Sequence, residues 1–577
     1  MILQALTAYY DRKLADPTSG LEPEGFKRVK IPFVLVLRKD GSLVGIDDTR
    51  TGEGRQRMAR EFLVPKVFEG SRTSKVEANL LWDKASYIFG VSPKAKPDRL
   101  KKQKESFLST IRAYFPDHET DAGVAAVVSF LINHQDSIRK HELWGEISTS
   151  DPNLAFRFED DTDLISSHEA VREAIALHEN RTTSERGVCL VTGQYGPLAK
   201  LENPIKGLRG SGKAESHLVS FNDRAYWSYG KSYGANASIS RRASSAYVGA
   251  ISHLRRNGSR QVLYVGDATT VFWAAKPNPM EDWFADFFDE PAKGESAQDN
   301  ESIRALYKAP QTGAPPLEED LTPFYVLGLA PNASRIAVRF WYAGTVGEVA
   351  QHIRQHFDDL EMVKSPKEWR TIKLKNLLRS TALQEKDKNI PPNLAGDTMK
   401  SILTGTPYPQ TLLAAAIRRV RAKHEITYPR AALIKAVLVR DARFYRKQDK
   451  EVDVSLDISN ANPGYLLGRL FAVLERVQEE AAKPNTLNST IRDRFYGAAS
   501  STPVAVFPHL LKLKNYHIAK LEKYKGYYEA TIGEIMDKLS ADNAFPPHLS
   551  LPDQGRFAVG YYHQRQTFFT KKEGKDI

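Results

Sequence analysis

The spacing of apolar residues changes near residue 345, and no other feature limits the available folds as strongly. Before that point, short apolar runs alternate with turn signals. Ile31–Leu37, the Lys39-Asp40-Gly41-Ser42 turn and Leu43–Ile46 predict a hairpin, and more strands are expected at Val188–Thr192, His217–Phe221, Gln261–Val265, Val271–Ala275 and Arg335–Tyr342. The opening MILQALTAYYDRKLAD predicts an amphipathic helix that stops before Pro17, and further helices are expected over Lys102–Tyr114 and Val124–His134. Beyond residue 345 the period becomes helical, in Leu412–His424, Ala431–Tyr445, Thr502–Lys523, Thr531–Leu539 and Gln554–Phe569. Asn462 followed by Pro463 marks a helix start, and Leu467, Leu470, Phe471 and Leu474 form its buried stripe. The expected fold is therefore α+β, with a mixed α/β N-terminal portion of irregular sheets followed by a C-terminal all-α helical bundle.

A chain of 577 residues has room for about three or four domains, and its 41% hydrophobic content supplies sizeable cores. The net charge of +12 favours a polyanionic partner. Cys189, the one cysteine, excludes an internal disulfide framework and a cysteine-based zinc site, and its run Val188–Val191 suits a buried small residue. The opening lacks the basic lead and apolar run of a signal peptide, and no stretch approaches the ~20 apolar residues that span a bilayer. A cytoplasmic, soluble protein with no membrane partner is expected.

The segment from Gly207 to Arg242 concentrates glycine, cations, amides and aromatics. Gly207, Gly212 and Lys213 have phosphate-loop spacing, but Ala214 stands where the metal-binding hydroxyl belongs, and His217–Phe221 predicts a strand where a helix should follow. A glycine-rich surface loop and a nucleic-acid contact both remain open for this segment.

Residues 276–319 carry several prolines and an acidic run around Glu281–Glu290, with Trp283, Phe284, Phe287 and Phe288 at helical spacing. They suit a small helix docked on the main body or an acidic partner-binding helix. The helices after residue 410 carry Arg418, Arg419, Arg421, Lys423, Arg440, Arg443, Arg446 and Lys447, with only Asp441 and Asp449 nearby in sequence, so polyanion contact is expected.

Candidate catalytic groups are sparse. His352 and His356 are four apart on one helix face with Asp358 and Asp359 following, but Ile353 occupies the position of a zinc hydrolase's glutamate. Asp117, His118, Glu119 and Asp121 suit a capped turn, and Asp267 suits a turn carboxylate as well as a catalytic one. No G-x-S-x-G elbow occurs. The expectation is a protein that is not an enzyme and takes no cofactor or metal; a metal-dependent nuclease and a pure structural scaffold are the alternatives.

Several segments together resemble one family. They are MILQAL with Tyr9 and Tyr10, Leu80–Gly90, Cys189–Gly193, Val219–Asn222, Ser228–Lys231, Gly266–Ala274, Gly328–Trp341, Thr490–Ser500 and Gln554–Phe569. The chain is similar to the large subunit of the type I-C CRISPR surveillance complex, Cascade. The resemblance implies a subunit without its own catalytic centre, in a complex that carries a guide RNA on backbone subunits. It implies recognition of the protospacer-adjacent motif in double-stranded target DNA, help with duplex opening, support of the displaced single strand, and recruitment of a separate helicase-nuclease. It also implies a small subunit made from the same gene, with Val452 or Val454 as candidate starts near Ser455.

On that resemblance the expected regions are 1–275 for motif recognition, 276–345 as linker or acidic helix plus a returning strand, 346–454 as basic helices and 455–577 as a small-subunit-like bundle. Candidates for motif reading and duplex opening are Arg72, Ser74, Lys75 and Asn79, then Arg209, Gly210, Gly212 and Lys213, then Asn222, Lys231, Asn236 and Ser238. Glycines permit entry to a narrow groove, amides can donate to minor-groove acceptors, and cations fix register through phosphate. Each asparagine taken singly fits a turn or cap equally well. Arg418, Arg419, Arg421 and Lys423 are the candidates for a strand path, while Trp82, Phe221, Trp273 and Trp341 are expected in the core.

Overall fold

The computed structural model describes residues 1–52, 57–67, 75–182, 185–210, 216–289, 302, 306–307, 317–333, 335–365, 371–446, 451–521, 523–540 and 542–569. Its chain divides into two compact units, one of residues 1–203 and 219–250, the other of residues 204–218 and 251–577. The whole is α+β, with small irregular sheets and many helices toward the C-terminus.

The first unit opens with helix α1 (Ile2–Leu14) and is built on a mixed sheet. Strands β1 (Phe26–Lys30) and β4 (Glu61–Pro65) pair antiparallel beside it. The sheet itself runs in the order β3 (Leu43–Asp48), β2 (Phe33–Leu37), β6 (Asn153–Phe158), β5 (Trp82–Lys84). The β2–β3 hairpin forms as the turn signal predicts, with Gly41 at a φ of +86° that a side chain would resist. Strand β2 is buried on both faces, with Phe33, Leu35 and Leu37 in one core cluster and Val34 in another, and that explains its continuous apolar run. Helices α2 (Pro97–Tyr114), α3 (Ala122–Ser129) and α4 (Glu169–Thr182) follow; Phe107, Ile111, Val124 and Val127 fill the core against Phe130 and Phe156. Asp121 caps α3 by accepting from the Val124 N–H at 2.8 Å, so this part of the 117–121 cluster is cap chemistry. Helix α5 (Arg241–Leu254), most of which belongs to this unit, buries Ala243 against Cys189 and Ile239.

Two strand expectations are corrected. Val188–Thr192 is a strand only to Val188, which pairs with Tyr195; Cys189–Gly193 then turns, with the Gly193 N–H donating to the Cys189 carbonyl. His217–Phe221 forms no strand; only an isolated bridge from His217 to Arg335 survives, next to one from Ser216 to Ile205. Every residue of that run is half-buried, so no apolar side exists to fix a register.

In the second unit, β7 (Val262–Val265), β8 (Ala268–Ala274), β9 (Pro323–Asn332) and β10 (Arg335–Thr345) form an antiparallel meander. Phe284, Phe287 and Phe288 are buried against this sheet and against Phe324 and Phe357, so the aromatic segment is a docked helix whose apolar face is used up internally. Trp273 is fully buried and Tyr325 and Trp341 stack near it.

Helices then continue to the end of the described chain: α6 (Val346–Leu360), α7 (Leu374–Thr381), α8 (Pro392–Thr404), α9 (Gln410–Lys423), α10 (Tyr428–Asp441), α11 (Pro463–Ala481), α12 (Ile491–Ala499), α13 (Pro503–Ala519), α14 (Lys525–Asp537) and α15 (Leu551–Thr567). They share one hydrophobic core with the meander, from Leu263 to Tyr562. Thr345 and Glu348 close a capping box at the start of α6, and Asn462 caps α11 through the Tyr465 N–H with Pro463 in the first turn.

Helices α11 and α15 touch backbone to backbone. A Cβ on Gly468 would lie 2.0 Å from the Phe557 carbonyl oxygen, and one on Gly560 would lie 2.2 Å from the Tyr465 carbonyl oxygen. Gly468→Ala must push the pair apart and is expected to cost about 1–3 kcal/mol, read as a lower urea midpoint. An unchanged midpoint would show that the contact is slack.

The cationic helices are also different from their sequence expectation. Arg440 is buried with its Nε 3.1 Å from Asp359, and Arg443 reaches the other Asp359 oxygen at 2.5 Å. Arg446 pairs with Glu451 at 3.0 Å. Asp359, remote in sequence, thus neutralises Arg440 and Arg443, and nearby Glu451 takes Arg446; Lys447 and Asp449 lie outside the described residues.

Candidate nucleic-acid interface

Within the first unit, residues 219–240 form an exposed, internally braced loop. Ser228 and Lys231 bridge across a two-residue turn in which Tyr229 has φ +52° and Gly230 φ +70°. Both central residues are left-handed, the geometry of a tight hairpin turn, and a tyrosine adopts it at a cost. The bracing comes from Asn236. Its amide oxygen accepts from the Ser228 N–H at 3.1 Å, and its amide nitrogen donates to the carbonyls of Lys231 at 3.1 Å and Tyr233 at 2.9 Å. Trp227 donates to the Phe221 carbonyl at 3.1 Å and packs 5.0 Å from Tyr233, over which Lys200 sits. The turn therefore presents Tyr229, 98% exposed, with Lys231, Arg224 and Asn222 also exposed.

Asn236 thus serves the loop's own backbone. Ser238 is half-buried, and its carbonyl accepts from the Leu190 N–H. Asn79 is buried where its N–H donates to Asp83 at 2.7 Å, at the entry to β5. Lys75 is exposed; Arg72 and Ser74 lie outside the described residues.

In the second unit, Ile205 and Ser216 close the neck of the glycine-rich loop. Arg255 donates to the carbonyls of Lys206, at 3.0 Å, and Gly207, holding the descending limb. Gly207 and Gly210 have φ of +71° and +87°, so the chain turns where only glycine does so freely. Arg209 anchors by its N–H to Thr269 at 3.3 Å and lays its guanidinium 5.2 Å over the Tyr264 ring. It lines a cavity of about 90 Å³ with Tyr264, Asp289, Lys375 and Asp387. Arg379 chiefly, with Arg209 adding, holds Asp387 below the usual carboxylate range. Gly212 and Lys213 lie outside the described residues.

On α9 of the same unit, Arg418, Arg421 and Lys423 are exposed while Arg419 is buried. The spacing signal could not separate them, because the helix turns Arg419 toward the core beside Ala416 and Val420.

The two histidines of α6 are taken up by the fold. His352 Nδ1 lies 2.7 Å from the Leu403 carbonyl, and buried His356 meets the Tyr408 hydroxyl. Burial, and then the Arg440 charge, push the His356 pKa down to about 3. Asp267 forms an ion pair with Arg339 at 2.6 Å. Among the described residues there is no group of three or more His, Cys, Asp or Glu side chains placed to hold a metal ion, and no helix long and apolar enough to cross a membrane.

Sequence spacing gave no sign of Tyr229, which stands out only once the turn and its bracing are seen. The class comes from comparison with known families: the model that matches this chain is that of a structural-subunit family of the CRISPR surveillance complex, Cascade. The chain belongs to the family described as CRISPR-associated protein (Cas_Csd1), whose model matches residues 6–569. That is the family of the type I-C Cascade large subunit, and the match covers nearly the entire chain. No curated protein matches it.

Proposed function

We propose that this subunit recognises the protospacer-adjacent motif in duplex DNA, promotes duplex opening and R-loop formation, and recruits a separate helicase-nuclease that does the cutting. The observation that carries the reading is the Ser228–Lys231 turn: an aromatic and a cation held outward on a backbone that costs energy to maintain. An aromatic ring carried outward on a braced turn can wedge between base steps, and adjacent cations grip phosphate. Arg209 and Gly210 offer a second cationic loop, and Arg418, Arg421 and Lys423 a phosphate path; guide RNA, backbone subunits and a small subunit from the same gene are the partners the reading requires. Neither a catalytic group nor a cofactor is needed for this role.

The test uses the purified complex on matched duplexes that differ only at the adjacent motif. Arg209→Ala and Lys231→Ala are expected to weaken binding to the correct target about tenfold with assembly intact, and to narrow the gap between matched and mismatched motifs. Arg418→Gln with Arg421→Gln should instead weaken both targets alike and flatten the salt dependence. A complex that never distinguishes the two motifs would leave this chain a scaffold.

A further inference from the structure

Charge is out of balance inside the helical part of the second unit. Asp359 of α6 and Lys435 and Arg440 of α10 are each at most 3% exposed. At their ordinary charges they set two positive groups beside one negative group where water screens little. Asp359 also pairs with Arg443, but that side chain is 31% exposed and solvent shares its charge. The Lys435 ammonium donates to the Asp359 main-chain carbonyl at 3.0 Å, which brings it no counter-charge. Other carboxylates do not close the gap. Glu361 is exposed, Asp453 is half-buried, and Asp441 turns to Gln410 at 2.7 Å.

Hydrogen bonding leaves a matching gap. The Arg440 guanidinium lies 4.4 Å over the Tyr408 ring. Its Nε donates to Asp359 at 3.1 Å, and its Nη1 to the carbonyls of Ser401 at 3.2 Å and Thr406 at 3.4 Å. Its Nη2 is buried with no partner among the described residues. His356, 1% exposed, meets the Tyr408 hydroxyl through Nδ1, and its Nε2 is also buried with no such partner. Burial and the Arg440 charge keep this imidazole neutral. Its Nε2 takes nothing from the guanidinium on the other side of Tyr408, so the ring proton sits there and the hydroxyl donates to Nδ1. Two N–H donors, one of them charged, thus flank Tyr408 without an acceptor, and cores rarely keep such groups orphaned.

We propose that this core binds one small monovalent anion of the chloride class, held by Arg440 Nη2 and His356 Nε2 beside Tyr408. A single negative charge offsets the uncompensated cation, and the same anion accepts from both donors. A divalent oxyanion overshoots the charge, and a water molecule satisfies the donors but not the charge. The anion joins α6, the connection between α8 and α9, and α10, so the helical part takes up an inorganic ligand as it folds. The site goes beyond the role proposed above and is independent of nucleic-acid binding.

The full chain is unfolded in urea near neutral pH while sodium chloride replaces sodium gluconate, a bulky anion, at constant ionic strength. The unfolding constant should fall about tenfold for each tenfold rise in chloride above the dissociation constant. Crystals of the unmodified chain soaked in bromide should show an anomalous peak within hydrogen-bond reach of Arg440 Nη2 and His356 Nε2, and this measurement needs no variant to fold. His356→Phe keeps a ring but removes one donor, and should raise the half-saturating chloride about fivefold. Arg440→Met should abolish the response. An unfolding constant that ignores chloride overturns the proposal: loss of the Lys435 proton, the direction in which burial already pushes that group, would then settle the charge. A chloride response of equal midpoint in His356→Phe overturns it too, as a general anion effect, and so does bromide found only elsewhere.

Discussion

Replacing Asp359 by alanine should lower the unfolding free energy by about 3–5 kcal/mol, more than any other single substitution considered for the helical part. The carboxylate is buried and faces buried Arg440 at 3.1 Å and Arg443 at 2.5 Å, while its main-chain carbonyl accepts from Lys435 Nζ at 3.0 Å. Removing the anion leaves two guanidinium groups and a buried ammonium with little to balance them, and that desolvation cost exceeds the lost pairing itself. Urea unfolding followed by far-UV circular dichroism gives the number. Asp359→Ala combined with Arg440→Met should recover part of the loss, because the unmatched charge goes with it. A single variant as stable as the parent would mean that water reaches the site.

Acidification should begin to destabilise the protein near pH 6.5, above the ordinary carboxylate range. His356 is held near 3 by burial and Arg440, and His563, beside the Tyr465 hydroxyl, near 4 by burial and Lys435. Above the ordinary imidazole pKa of about 6.5 both states are neutral and nothing is lost. Below it the unfolded chain takes up protons that the folded chain refuses, so stability drops as pH falls from about 6.5 toward the folded values. At about pH 4.5 the cost is roughly 2–3 kcal/mol for each histidine. The comparison is between urea midpoints near pH 7 and pH 4.5 for the parent and for His356→Gln with His563→Gln. The variant's pH slope should be the shallower one; equal slopes would place the sensitivity elsewhere.

Local chemistry was legible in the sequence wherever partners lie close along the chain. Asn462 and Pro463 start α11 as read, the Asp40-Gly41 turn makes its hairpin, and the period of Leu412–His424 gives α9. Mixed α+β organisation followed from the same patterns. What stayed hidden depends on contacts made at long range. Arg440 reads as a solvated cation until α6 brings Asp359 against it, some 80 positions away. The aromatic run around Phe284 reads equally as a partner surface until the meander supplies its floor.

The candidate site divides along the same line. Amides and glycines in residues 207–242 drew attention to a stretch in which 219–240 forms an exposed, conformationally demanding loop, but they gave no sign of which atoms face outward. Asn236 spends its amide on three groups of its own turn, and the residue it lifts into solvent is Tyr229. Arg419 and Asn79 are buried for a comparable reason: one is set by helix phase, the other by the Asp83 contact.

The glycine flank of α15 bears on how this polypeptide can be shortened. A Cβ at Gly555 would lie 3.1 Å from Ile434 and 3.5 Å from Leu413 and Leu438, so α9 and α10 form the lid over that stretch of the last helix. The proposed product beginning at Val452 would keep α11 and α15 clasped together but would leave that lid behind. Its seam would be greasy and solvent-facing, a self-adhesive strip.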